Sequence, residues 1–358
     1  MLHEFHAGLG ATFAAVNGAE AVAHFGDVPA EYAALTQSVG VLDLSFRGRV
    51  CLLGNDRVAF LHGQVTNDVK ALKPGEGCYA ALISAKGRMQ SDLNVHRLDD
   101  ELLLNFEPGL TTAVTERLDK FIIAADVQIV DVAPHYGLLS AQGPRSRGAV
   151  EALGLGGPLP ERLSSIAKLS DPTVGDIYVA NQPRLGSAGF DLFVPTNSLG
   201  AVADKLITAT RRCGGRACGW EAFETARIEA GIPRFGADMD ENTLPPEAGL
   251  DTHAVSYTKG CYIGQEVLNR IRTYGQVAKA LRRLRLADDL PALPMKGDKL
   301  FKDGKAVGLI TSATRSPALN ANVALGYVRR ECNQPGTVLR LHTAASQSDA
   351  RIMEPPAP

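Results

Sequence analysis

The amino-acid sequence predicts an α+β fold that ends in a small all-β domain. Three observations carry this. From Ser45 onward the pattern runs strand, helix, strand, strand, helix, strand, which is the order of a ferredoxin-like unit. A second region of the same kind opens at Gly137. After Leu281 strands follow one another quickly with glycines between them. At 358 residues the chain is too long for a single core and suits two or three domains.

Each element has a local reason. Residues 30–45 read as a helix running into a strand. Ser45 to Leu53 is a strand that stops at Gly54-Asn55-Asp56. Residues 56–65 form an amphipathic helix with Val58, Phe60, Leu61 and Val65 near one face, capped by Asn55 or Asp56. Cys78 to Ile83 and Asp92 to Leu98 are strands around the tight turn Ala85-Lys86-Gly87-Arg88. Glu101 to Asn105 is the next strand and Thr111 to Ile123 a helix. In the second region, residues 144–154 and 196–213 are helical and Phe190 to Val194 alternates as a strand. Trp220 to Glu229 is a helix that stops at Gly231-Ile232-Pro233. Lys302-Asp303-Gly304-Lys305 is a hairpin turn. The end near Glu354-Pro355-Pro356 reads as a frayed tail.

Composition narrows the function. Net charge is −2, with 45% hydrophobic and 21% charged residues, as in a soluble globular protein without a global nucleic-acid footprint. The run from Leu281 to Leu286 holds three arginines and reads as a strand with a wet face, so direct nucleic-acid binding is not expected. No apolar run is long enough to span a membrane, and Met1 to His6 does not open a signal peptide. The six cysteines lack CxxC pairs and the histidines lack metal spacing, so we expect a reducing cytoplasm and no metal site.

The densest chemistry lies in Lys259-Gly260-Cys261-Tyr262-Ile263-Gly264-Gln265-Glu266. A thiol, a cation and a carboxylate share eight residues with two glycines that permit tight turns. Lys259 can lower the pKa of Cys261, and Glu266 opposes it. Two readings fit: a working thiol, or a turn with an inert, half-buried cysteine.

This stretch resembles the signature of the YgfZ family of folate-binding proteins, relatives of the glycine-cleavage T-protein (aminomethyltransferase). Other blocks follow in matching order. They include Gly40-Val41-Leu42-Asp43-Leu44-Ser45, Phe60 to Val69, Lys86 to Leu93, Leu138 to Pro144, Ala226 to Pro233, Pro246 to Leu250 and Thr311 to Pro317. The resemblance implies a T-protein-like ring of three domains around tetrahydrofolate. The expected division is 1–52 plus 137–229, then 53–136 plus 230–280, then a β-barrel from 281 to 358. It implies Cys261, Asp92 and Lys259 as catalytic residues, and Asp92, Asn105, Arg227 and Glu247 as folate contacts. Asp92 at a strand start also fits a turn cap, and Arg227 also fits a helix-surface pair with Glu224 or Glu229.

One stretch departs from the T-protein pattern. In Arg184-Leu185-Gly186-Ser187-Ala188-Gly189-Phe190-Asp191, Ser187 stands where T-proteins carry a pterin-gripping glutamate. Position 223 is Phe. The expected function is therefore a tetrahydrofolate-binding protein that supports iron–sulfur cluster assembly or repair through Cys261. Its partners would be iron–sulfur client proteins, with any link to tRNA modification indirect. A true aminomethyltransferase working with a lipoyl carrier, and a folate-binding module without chemistry, are the alternatives.

Overall fold

The computed structural model describes residues 2–354; the tail expected at Pro355 and Pro356 lies outside the described residues. In chain order the N-terminal elements are α1 (His3–Gly8), β1 (Thr12–Val16), β2 (Ala19–His24), α2 (Val28–Gln37), β3 (Gly40–Asp43), β4 (Gly48–Leu53) and α3 (Arg57–Gln64). There follow β5 (Gly77–Ile83), β6 (Met89–Arg97), β7 (Leu102–Phe106), α4 (Thr111–Asp119), β8 (Gln128–Asp131), β9 (Tyr136–Gln142) and α5 (Ser146–Glu151). Next come β10 (Ile166–Asp171), β11 (Gly175–Asn181), β12 (Gly189–Pro195), α6 (Leu199–Arg212), β13 (Arg216–Ala217), α7 (Trp220–Glu229) and α8 (Gln265–Tyr274). The last strands are β14 (Lys279–Leu286), β15 (Lys299–Lys302), β16 (Lys305–Ser316), β17 (Ala321–Arg329), β18 (Val338–His342) and β19 (Gln347–Ile352).

Two compact units emerge, and the chain passes between them more than once. The first comprises Met1–Leu82, Ser91–Phe223 and Thr258–Tyr262; the second comprises Ile83–Gln90, Glu224–Tyr257 and Ile263–Pro358.

Two large sheets and the two-stranded β1–β2 hairpin lie in the first unit. One has the order β5-β6-β7-β4-β8, a ferredoxin-like sheet with β5 added at its edge. Its core is Leu52, Leu61, Leu82, Leu93, Leu104, Phe106 and Leu118, contributed by the strands and by α3 and α4. The other has the order β10-β11-β12-β9-β3-β13, with β13 parallel to β3. Its apolar side packs Leu139, Ile177, Phe190 and Leu192 against Val202, Leu206 and Ile207 of α6.

The second unit holds a closed barrel of order β14-β17-β16-β15-β18-β19. Side chains alternate across each strand, so Leu284, Leu286, Leu300, Leu339, Leu341 and Ile352 fill it while Arg285 and Arg340 stay outside. Asp303 (φ 50°) and Gly304 (φ 74°) make the left-handed pair of the expected hairpin turn.

Several expectations shift. β4 pairs with β7 and β8, so the break expected after residue 52 falls inside a strand of the ferredoxin-like sheet. Glu224–Tyr257 groups with the barrel-bearing unit instead of the ferredoxin-like sheet. The helix expected to reach Ile123 ends at Asp119. The Asp56 carboxylate does not cap its own helix; it accepts from the Asp126 N–H at 2.8 Å. The β1–β2 hairpin, β10, β11 and α8 had no counterpart in the sequence reading.

Arg49 shows what holds this unit's loops. It is fully buried, and burial pulls its guanidinium down to about 10. It donates to the carbonyls of Arg47 (2.8 Å), Ser45 (3.0 Å), Tyr136 (3.1 Å) and Ala133 (3.4 Å). Arg49→Met leaves those carbonyls without their donor. Urea unfolding should show a loss of at least about 2 kcal/mol, at ~1–3 kcal/mol for each buried group left unpaired.

Candidate functional site

Asp92 lies in β6 and is 8% exposed. One carboxylate oxygen, Oδ2, accepts from the Tyr79 hydroxyl at 2.7 Å. The other, Oδ1, is buried without a hydrogen-bond partner. A buried orphan oxygen costs stability unless something arrives to bond it. Burial, and then the charge of Glu107, hold the Asp92 carboxyl above the ordinary carboxylate range. Burial and Asp92 likewise push the Tyr79 phenol well above its usual value, so it stays a donor.

Around Asp92 charged and amide groups join the five-stranded and six-stranded sheets. Arg47, just before β4, pairs with buried Glu107 and donates its Nε–H to Asn105 Oδ1 at 3.2 Å. Arg184 donates to the same Asn105 oxygen at 3.0 Å. It also grips Asp191 of β12 through Nε, at 3.1 Å to each oxygen, and through Nη2 at 2.5 Å. Ser140 Oγ adds a bond to Asp191 at 2.7 Å, and Gln142 donates to Ser140 at 2.8 Å. Asn105 is thus a junction between two arginines, with its amide donating to the Gly48 carbonyl at 3.2 Å. Arg47, Tyr79, Glu107, Arg184 and Asp191 escaped the sequence reading. Arg184 and Asp191 did stand within the stretch quoted for Ser187. Tyr79 in β5 and Glu107 just after β7 gave no signal, because such residues acquire polar partners only when strands pair.

Cys261 is exposed, and Lys259 is buried. The Lys259 ammonium donates to the carbonyls of His62, Val65 and Asn67, the last two at 2.7 and 2.9 Å. It also lies 4.7 Å from the centre of the Tyr262 ring. Burial pulls it down to about 8. The cation expected to serve the thiol is therefore directed at backbone oxygens, where it holds the end of α3 and the following loop. Gly264, which starts α8, has φ 83°, and a Cβ there would stand 2.4 Å from the Ser84 carbonyl oxygen, so only glycine fits.

In the second unit Arg227 corrects an expectation. Its five N–H groups meet Glu224 (3.2 and 2.7 Å), Ser312 (2.9 Å), the Ile232 carbonyl (3.4 Å) and Asp238. No donor remains for a ligand carboxylate; the alternative pairing with Glu224 is the one formed. A bulge between Ile310 and Ser312 turns Thr311 and Ser312 toward Asp238, at 2.6 and 2.7 Å. Glu247 is buried, accepts from the Leu244 N–H at 3.0 Å and lies 3.6 Å from Arg88. Among the described residues no group of three or more His, Cys, Asp or Glu is set to hold a metal.

Comparison with known proteins places this architecture. Residues 2–259 match the GCVT N-terminal domain, and residues 279–357 match the glycine cleavage T-protein C-terminal barrel domain. The chain belongs to the glycine cleavage T-protein family. Among its relatives is an aminomethyltransferase of Picosynechococcus sp., 28% identical over 99% of this chain and 96% of that one. The aminomethyltransferase of Bacillus subtilis is 26% identical over 95% and 93%, and that of Thermotoga petrophila 29% over 92% and 89%. The crystal structure of the glycine cleavage system aminomethyltransferase T from Bartonella henselae superposes with a TM-score of 0.88. It is 24% identical and covers 99% of this chain and 96% of that one, a likeness of fold.

Two outcomes follow. A carboxyl whose folded pKa is raised stabilises the protein fully below its unfolded pKa and loses that contribution as pH rises through the folded value. Asp92→Asn, which still accepts from Tyr79, should match the parent in acid and become the more stable of the two as pH rises. Unfolding midpoints across pH test this, and parallel curves would refute it. Burial pushes the Cys78 thiol up to about 12 and raises Cys51 and Cys218 as well. Cys261 should alkylate first at neutral pH. Timed labelling read by mass spectrometry decides, and earlier labelling of any other cysteine contradicts it.

Proposed function

We propose that this protein binds a reduced folate against Asp92 and transfers a one-carbon unit of the aminomethyl class. The unpartnered Oδ1 of Asp92 carries the reading. It is a polar atom in need of a hydrogen-bond partner, in a site rich in fixed donors and acceptors. Reduced folates bear ring N–H groups that suit a carboxyl of this kind. Bound tetrahydrofolate supplies the nitrogens that accept or release the one-carbon unit. Burial, and then the charge of Glu107, hold the Asp92 carboxyl above the usual carboxylate range, which favours its protonated form relative to an exposed aspartate and suits a group that exchanges a proton with the ligand. Tyr79 fixes the carboxyl by bonding Oδ2, which leaves Oδ1 to the ligand. Arg47 offsets the Glu107 charge beside it, and Asn105 is locked by two guanidinium donors. The relatives named aminomethyltransferase support the reaction class.

A second reading concerns the thiol. Cys261 is exposed on a loop whose lysine and glycine are both used to shape it. With Ser187 in place of the pterin-gripping glutamate, this favours a YgfZ-type role in which the folate-bound protein supports iron–sulfur enzymes through Cys261. One cysteine does not supply the four thiolates of a resident cluster, so the cluster belongs to client proteins.

Tetrahydrofolate at a hundredfold above its Kd should stabilise the protein by about 2.7 kcal/mol in a thermal-shift series. Asp92→Ala should shrink that shift while the protein stays folded; absence of a shift with every reduced folate sinks the proposal. Turnover with a lipoylated carrier supports the transferase. Loss of iron–sulfur enzyme activity in a gene deletion, restored by the parent but not by Cys261→Ala, supports the thiol reading.

A further inference from the structure

A cleft of about 690 Å³ lies wholly within the second unit, lined by Arg272, Arg282 and Arg330 together with Asp251, Tyr257 and Gln334 among others. We infer that this cleft binds a small ligand bearing two or more oxyanion charges, either a phosphate ester or an oligocarboxylate. The inference stands apart from the folate reading, since it uses no residue of the Asp92 cluster.

Three arginines line one cleft whose lining holds a single carboxylate residue, Asp251. Among the described residues none of the three is bonded to a carboxylate. Arg282 donates to the carbonyls of Leu281 (2.9 Å) and Asn333 (3.0 Å), which fix its direction without cancelling its charge. Arg272 lies over the Tyr257 ring at 4.3 Å, which fixes a second guanidinium. Arg330 opens the short turn Arg330–Cys332, where its backbone N–H bonds the Ala278 carbonyl at 3.0 Å. Like charges along one cleft repel, most strongly at Arg282, the half-buried one of the three, where less water screens them. Burial lowers Arg282 from its ordinary value, so an anion in the cleft would relieve that strain on the charged form. Arg forks match phosphate and carboxylate oxygens two at a time, which suits a dianion better than a monoanion. The volume falls in the range of small-ligand sites.

The test is calorimetric titration of the full chain, at constant ionic strength, with inorganic pyrophosphate and separately with a triglutamate peptide. Saturable binding of one of them is expected, and which one binds identifies the phosphate or the carboxylate source. Arg272→Gln and Arg330→Gln, both at exposed positions, should each weaken binding about tenfold with unchanged thermal midpoints. Asp251→Asn should tighten it. Arg315→Gln, an exposed arginine outside the cleft, should leave it unchanged. The inference is overturned if neither anion binds, if Arg272→Gln and Arg330→Gln bind as tightly as the parent, or if Arg315→Gln weakens binding as much as they do.

Discussion

The first unit depends on burying charge between its two large sheets. Arg47, Glu107, Asn105, Arg184 and Asp191 form one chain of bonds from the ferredoxin-like sheet to the six-stranded sheet. Apolar packing binds each sheet to its own helices. A guanidinium bonded to a carboxylate and an amide at fixed angles sets the register of one sheet against the other, because a shifted register leaves a charge buried alone, at a cost of several kcal/mol. The same chain gives Asp92 its electrostatics, since Glu107 is both a link in the chain and the neighbour that raises the Asp92 pKa.

The two units use buried ions in a similar way. In the second unit Arg227 ties α7 to the bulge of β16 through Asp238 and Ser312. Arg49 and Lys259 in the first unit spend their charges on backbone carbonyls instead. Each cation sits where a loop would otherwise bury unbonded oxygens.

Much of this was legible in the sequence. The quick succession of short strands with glycines between them announced the barrel, and Asp303-Gly304 announced one of its turns, since both follow from local chemistry. Asp92 came from the block Lys86 to Leu93 and Asn105 from the end of the strand that follows it, and the structure sets both beside the Arg47–Glu107 pair. The partners of Arg227 and Lys259 were legible only in part: the pairing of Arg227 with Glu224 was one of two readings, and the carbonyls that take the Lys259 donors gave no signal. A long cation near a motif looks available on paper, and only tertiary structure shows what absorbs its donors. The β1–β2 hairpin and the β10–β11 pair were missed because Ala-rich and polar segments take strand form through their partners more than through their own propensity. Helix α8 was hidden behind the thiol motif that precedes it.

The Lys259 bonds also bear on how the chain is made. Lys259 is 197 residues from His62, 194 from Val65 and 192 from Asn67. The loop after α3 therefore emerges from the ribosome long before the cation that closes it, and closing so long a loop is slow. Until Thr258–Tyr262 arrives, the first unit must wait with a provisional loop, solvated by water. The last segment to complete this unit is thus the one that presents Cys261, so the thiol takes its final setting only after the sheets around Asp92 are already built.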